Sequence, residues 1–172
     1  MALFFIIAAV ILRLVPHLPN FAPIAAMALF GGTYLNKKFA LIVPIAAMLV
    51  SDYFIGFYNH WVMISVYGSF IIIGLLGWWL KKNKSVANVI GVSLFGSIIF
   101  FLVTNFAVWV IPHSMYPHTW QGLISCYIMG LPFFRNTLMG DLFYVAIMFG
   151  LYEIVLLLTI KRRVACPVKS RN

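Results

Sequence analysis

The sequence reads as an all-α membrane protein: a bundle of six transmembrane helices with both termini cytoplasmic. Composition is the first reason. Of 172 residues, 64% are apolar and 9% charged, with a mean hydropathy of +1.04. A soluble domain is roughly 45–50% apolar and about 25% charged, so too few polar side chains remain to cover a water-facing surface. Disorder is excluded too, since it needs low hydrophobicity and high charge. The second reason is the form of the apolar runs. They are longer than the roughly ten-residue alternating segments of a membrane β-barrel, and they are apolar on all sides, as buried or lipid-facing helices are. The third reason is charge. Twelve Lys/Arg against three Asp/Glu give +9. In a soluble chain this would suggest nucleic acid; here it sorts by loop and records orientation.

Six segments follow in order. Residues 2–16 (ALFFIIAAVILRLVP) lack the basic lead and the A-x-A site of a cleaved signal peptide. They are expected to stay as a helix ended by Pro16. Residues 20–35 form a short second span, with Pro23 near its start and Gly31-Gly32 near its end. Residues 39–57 carry Pro44 and one acid, Asp52. Residues 61–80 and 86–111 hold no charge at all. The sixth span is expected at 135–160, after an apolar stretch 122–134 that Pro132 interrupts. One span takes about 20 residues. The whole is therefore a single transmembrane domain, 1–160, with a short basic tail, 161–172. P-I-A-A-M occurs at both 23–27 and 44–48, an echo that fits a local duplication or, more readily in an Ala-rich chain, chance.

Lys37 and Lys38 follow span two; Lys81, Lys82 and Lys84 follow span four; Lys161, Arg162, Arg163, Lys169 and Arg171 follow span six. With six crossings all ten fall on one side, which the positive-inside rule makes cytoplasmic. The opposite connections, 16–20, 57–61 and 111–134, hold no Lys or Arg.

Ionisable and amide groups within spans are costly in lipid and face a bundle interior or a cavity. At 1.5 Å per residue, Arg13 lies about 5 Å below the outer end of its span, Asp52 about 8 Å, and Asn105 and Asp141 about 9 Å. Thr104, Ser65 and Tyr67 share that layer. The inner halves of the spans hold no ionisable acid or base except Glu153, placed to neutralise the cytoplasmic cations. A cavity open outward and closed below has this pattern. Arg13 and Arg135 balance Asp52 and Asp141 in charge. Two readings fit: a network between helices that fixes packing, or a set of ligand contacts. For Asn105, helix-to-helix bonding is the stronger of the two. Thr137, Asp141, Tyr144 and Met148 share one helix face, which lines a pocket or simply packs.

The outer loop 111–122 (IPHSMYPHTWQG) is aromatic, with Trp120 in it. It fits either an interfacial belt or a lid that stacks on a planar ligand. The spacing of His17, His60, His113 and His118 matches no metal-ligand motif, so neither metal nor cofactor is expected. Cys126 and Cys166 lie on opposite sides and cannot pair. Small residues recur at four-residue spacing: Ala22 with Ala26, Ala47 with Ser51, Ser93 with Ser97. Such pairs let helices approach closely, within the chain or at a partner. There is no GxxxxGK[ST], HExxH or GxSxG and no catalytic set. The chain is not expected to be an enzyme or to power transport with its own ATPase.

Four segments, RLVPHLPNFAPIAAMALFGG (13–32), SDYFIGF (51–57), TNFAVW (104–109) and LPFFRNTLMGDLFY (131–144), resemble an uncharacterised family of bacterial membrane proteins of transport type. That family is similar to the S components of energy-coupling factor (ECF) transporters. The resemblance spans about residues 10–150 and implies a six-helix bundle in the bacterial cytoplasmic membrane. It implies outward binding of a vitamin or similar small solute under a loop lid. Transport would then be driven by an ECF-type transmembrane subunit and ATPases. S components that dock this subunit carry A-x-x-x-A in helix 1. Here that spacing occurs only as Ala22/Ala26 in the second span, which leaves a solitary mode open. The resulting expectation is a substrate-binding transport protein for a small organic solute. Arg13, Asp52, Asn105, Asp141, Tyr67, Trp120 and Arg135 would surround the substrate. The alternative is a non-transporting membrane scaffold or partner-binding subunit whose polar layer is structural.

Overall fold

A chain surrounded by lipid must satisfy its backbone hydrogen bonds internally, and this one does so with helices. The computed structural model describes residues 2–16, 18–36, 38–112 and 114–165, with side chains to residue 161. Among these residues there are six helices and no strand: α1 Ala2–Leu14, α2 Ile24–Tyr34, α3 Ile42–Ile55, α4 His60–Leu80, α5 Val86–Val110 and α6 Trp120–Ala165. Expectations resting on His17, Lys37, His113, Cys166, Lys169 and Arg171, or on the side chains of Arg162 and Arg163, lie outside the described residues.

Three helices, α4, α5 and α6, are long and apolar enough to cross a membrane. The other three have 13, 11 and 14 residues. At 1.5 Å per residue they reach about 20, 17 and 21 Å, short of the roughly 30 Å of a bilayer core. Their ends are trimmed by local chemistry. Asn20 sits at φ +61°, and the Phe21 N–H closes a turn on the Leu18 carbonyl at 2.9 Å. Helix α2 therefore begins only after Pro23, where a missing N–H costs nothing. Pro44 lies in the first turn of α3, where the same holds. That helix ends at Gly56, whose φ of +106° a side chain would resist. Helices α4 and α5 are capped by Asn59, which accepts from the Trp61 N–H at 2.9 Å, and by Ser85, which accepts from the Asn88 N–H at 3.1 Å.

The expected break before the sixth span does not occur. Helix α6 runs unbroken for 46 residues with Pro132 inside it. Proline removes one backbone bond and crowds the preceding turn, but here both halves are held on α5. Before the proline, the Tyr127 hydroxyl donates to the Leu102 carbonyl at 2.9 Å. After it, the Phe134 ring meets the Phe101 ring at 4.5 Å. Gly130 between them lies so close to Asn105 that a Cβ would collide with its side chain.

Helix α2 forms the centre, and residues Ala25–Thr33 are all buried. A helix apolar all round is a core helix, and its small residues let neighbours close in. A Cβ on Gly32 would strike the backbone of Gly74 and Gly77 on α4. The Thr33 hydroxyl reaches the Gly77 carbonyl at 3.1 Å. Phe30 packs on Phe149 and Tyr152 of α6, and Phe5 of α1 meets Tyr152. These contacts fix the directions: α2, α4 and α6 run one way and α1, α3 and α5 the other. Lys38, Lys81, Lys82, Lys84 and Lys161 thus gather toward one end of the bundle. The connections at the other end carry no Lys or Arg. Exposed Phe, Leu and Ile side chains cover the outer faces of the helices, as a lipid-facing surface requires.

Candidate functional site

The polar layer resolves into two separate networks. In the first, Arg13 from the end of α1 reaches α3. Its Nη2 pairs with Asp52 Oδ1 at 2.5 Å. Its Nη1 donates to the Met48 carbonyl at 3.2 Å and also to the Ser51 hydroxyl. The Tyr67 hydroxyl from α4 donates to Asp52 Oδ2 at 2.6 Å. Asp52 is 1% exposed, and both its oxygens are engaged. Helix periodicity explains the set: Met48, Ser51 and Asp52 fall on one face of α3, the face turned to α1. The Tyr58 phenol, in the connection between α3 and α4, is pushed up to about 12, chiefly by burial and then by the Asp52 carboxylate.

The second network joins α5 and α6. The Ser97 hydroxyl donates to Asp141 Oδ2 at 2.6 Å, and its oxygen also lies 3.1 Å from the Ser93 carbonyl oxygen. The Ser93 hydroxyl is buried with no hydrogen-bond partner among the described residues. Asp141 is 3% exposed. Among the described residues no cation pairs with it; the two ion pairs are Arg13–Asp52 and Lys84–Glu153.

Residues of all six helices line a cavity of two adjoining lobes. The deep lobe, about 230 Å³, is lined by Ala22, Ala25, Thr137 and Asp141 among others. The outer lobe, about 370 Å³, is lined by Tyr58, Thr104, Asn105 and Phe133 among others. Arg13, Asn20, Ile24, Phe70 and Phe100 line both. The Phe70 and Phe100 rings stack at 5.2 Å with an interplanar angle of 29°. The polar groups thus sit in walls that are mostly apolar, the usual makeup of a small-molecule site.

The structure brings Arg13, Asn105 and Asp141 to this cavity. Asp52 and Tyr67 stand behind Arg13 and fix it. Trp120 and Arg135 are exposed and line neither lobe. The described loop residues 114–122 line neither lobe either, so no lid over the cavity is seen there. His118 packs instead against Trp109, whose indole N–H donates to the Pro117 carbonyl at 3.0 Å. The small pair Ala22/Ala26 offers no face to a partner: Ala26 is 0% exposed, and Ala22 precedes α2 and lines the cavity. Ser97 appeared in the sequence only as half of a small-residue pair, with no sign that it serves Asp141. Asn20 was also missed. Its signal was a polar residue in a short segment bracketed by Pro19 and Pro23. Among the described residues no group of three or more His, Cys, Asp or Glu could hold a metal.

At the basic end, Glu153 accepts from Lys84 and from the Tyr34 hydroxyl. These residues border a separate cavity of about 460 Å³ between α5 and α6. Glu153 therefore answers one of the cations expected beside it.

No curated protein matches the chain, and no solved structure matches it. Residues 1–165 match one family model, described as a family of unknown function, DUF6580. With nearly the whole chain covered, helices, cavity and both networks included, this all-helical protein belongs to the DUF6580 family.

Proposed function

We propose that the chain is a substrate-binding membrane transport protein that takes up a small organic or vitamin-like solute from the outer side. One observation carries the reading: a cavity of two lobes, near the end free of basic loops, with the carboxylate of Asp141 in its deep wall. A carboxylate inside a bundle is costly unless it serves packing or a ligand, and Asp141 has only Ser97 as partner among the described residues. The six-helix, termini-inside arrangement of ECF S components agrees with the alternating helix directions and the gathering of Lys at one end. On this reading the protein sits in the bacterial cytoplasmic membrane. It works with an ECF-type transmembrane subunit and ATPases, or alone. The outer faces of the bundle, not Ala22/Ala26, would meet such a partner.

A second reading, a scaffold with a purely structural polar layer, draws support from the Arg13–Asp52–Tyr67 network, which is closed on itself. Native mass spectrometry of the purified protein separates the two. A transport protein carries a bound small molecule, and Ala25→Phe, which fills the deep lobe, removes it while helicity is retained. A scaffold carries no small molecule and retains a partner protein instead.

A further inference from the structure

We propose that the cavity selects a small organic cation, with Asp141 as the group that recognises its charged N–H. The proposal rests on the reading of the cavity as a ligand site and names the class of ligand. Three observations carry it.

The first is the charge balance of the walls. Arg13 and Asp52 form a pair and cancel. Asp141 has no cationic partner among the described residues, so the charge left at the cavity is negative. A carboxylate buried without a counter-charge is strongly disfavoured, and a cationic ligand supplies what is missing.

The second is the polarity of the remaining groups. The Thr137 hydroxyl directs its one proton to the Phe133 carbonyl at 3.0 Å, and the Thr104 hydroxyl directs its own to the Phe100 carbonyl at 2.7 Å. Each then offers only lone pairs. Asn105 donates one Nδ2 proton to the Phe101 carbonyl at 2.8 Å and keeps its Oδ1 as an acceptor and its second Nδ2 proton as a donor. Asp141 accepts from Ser97 at Oδ2 and has no partner at Oδ1 among the described residues. Around Asp141 in the deep lobe, Thr137 and the carboxylate thus present acceptors, which suits a ligand group rich in N–H donors at that point.

The third is the aromatic pair. Phe70 and Phe100 border both lobes, and aromatic faces attract cations through the ring quadrupole. A flat or compact apolar body bearing an ammonium or amidinium group meets all three conditions. An anion would face Asp141 with no unpaired cation lining the cavity among the described residues to offset the repulsion.

The test uses three probes of equal size and shape that differ in charge: benzamidinium, benzamide and benzoate. Each is titrated into the full-length protein in nanodiscs, and binding is read by calorimetry and by thermal shift. Benzamidinium should bind at least about tenfold tighter than benzamide, the factor expected for a hydrogen bond to a charged group, and benzoate should not bind. Asp141→Asn should abolish the preference for charge, and Ala25→Phe should abolish binding altogether. Equal or tighter binding of benzamide or benzoate to the wild-type protein overturns the cation assignment and leaves the cavity reading intact. Failure of all three probes to bind overturns both. The ranking of probes on the wild-type protein decides the matter even if a variant fails to fold.

Discussion

Asp52 and Asp141 are the same residue type at similar depth, yet their surroundings give them opposite roles. Asp52 receives Arg13 on one oxygen and Tyr67 on the other. It is a joint between α1, α3 and α4. Removing one partner of a buried ion pair leaves the other uncompensated, at a cost of about 3–5 kcal/mol, whereas replacing both with apolar groups is often neutral. Arg13→Met should therefore destabilise the protein by about that amount, and Arg13→Met with Asp52→Leu should recover most of it. Equilibrium unfolding in mixed micelles measures both. The sequence placed Arg13, Asp52 and Asp141 in one layer, because depth follows from position along a helix. It did not separate the pairings. Arg135 lies six residues from Asp141, which at 3.6 residues per turn puts the two about 120° apart around α6. Arg135 accordingly stands on the exposed face. Which acid Arg13 meets could not be read, since the Arg13–Asp52 pair depends on α1 lying beside α3.

At the scale of the element, α2 and α6 depart most from what the residues suggested. Helix α2 is short because the turn through Asn20 and Pro23 delays its start. It is central because its glycines and alanines let α4 approach to backbone contact. Gly32→Leu should separate the two helices. Overpacking of this kind costs about 1–3 kcal/mol or more. A lower melting temperature checks it, and Gly68→Ala serves as the control, since an added Cβ there meets nothing within 4 Å. Helix α6 is long because its halves are held on α5 across Pro132. Proline read alone predicts a break; the contacts that override it are tertiary, and no local pattern reports them. Helices α4 and α5 were legible almost to the residue, since their charge-free runs end at Asn59 and Ser85 caps and at polar loops.

For the molecule as a whole, the helical class and the division into basic and neutral ends follow from composition and charge. Both are summed properties that need no contact. The cavity does not follow in that way, because its walls come from all six helices, which meet only in three dimensions. Phe70 and Phe100, which join its two lobes, were two apolar residues among many in the sequence. On the proposed function this cavity opens at the neutral end, toward the outside of the cell, with Asp141 in its wall. Thr137 lies one helical turn from Asp141 and lines the deep lobe. The most direct measurement is the labelling of a Thr137→Cys variant in intact cells with a membrane-impermeant cationic thiol reagent. Cys126 and Cys166 are replaced by Ser, and His118→Cys and Lys82→Cys are the outer and inner controls. Thr137→Cys should react from outside, as His118→Cys does, and faster with a cationic reagent than with an anionic one. Reaction only after permeabilisation, as for Lys82→Cys, or no reaction at all, would contradict the outward opening.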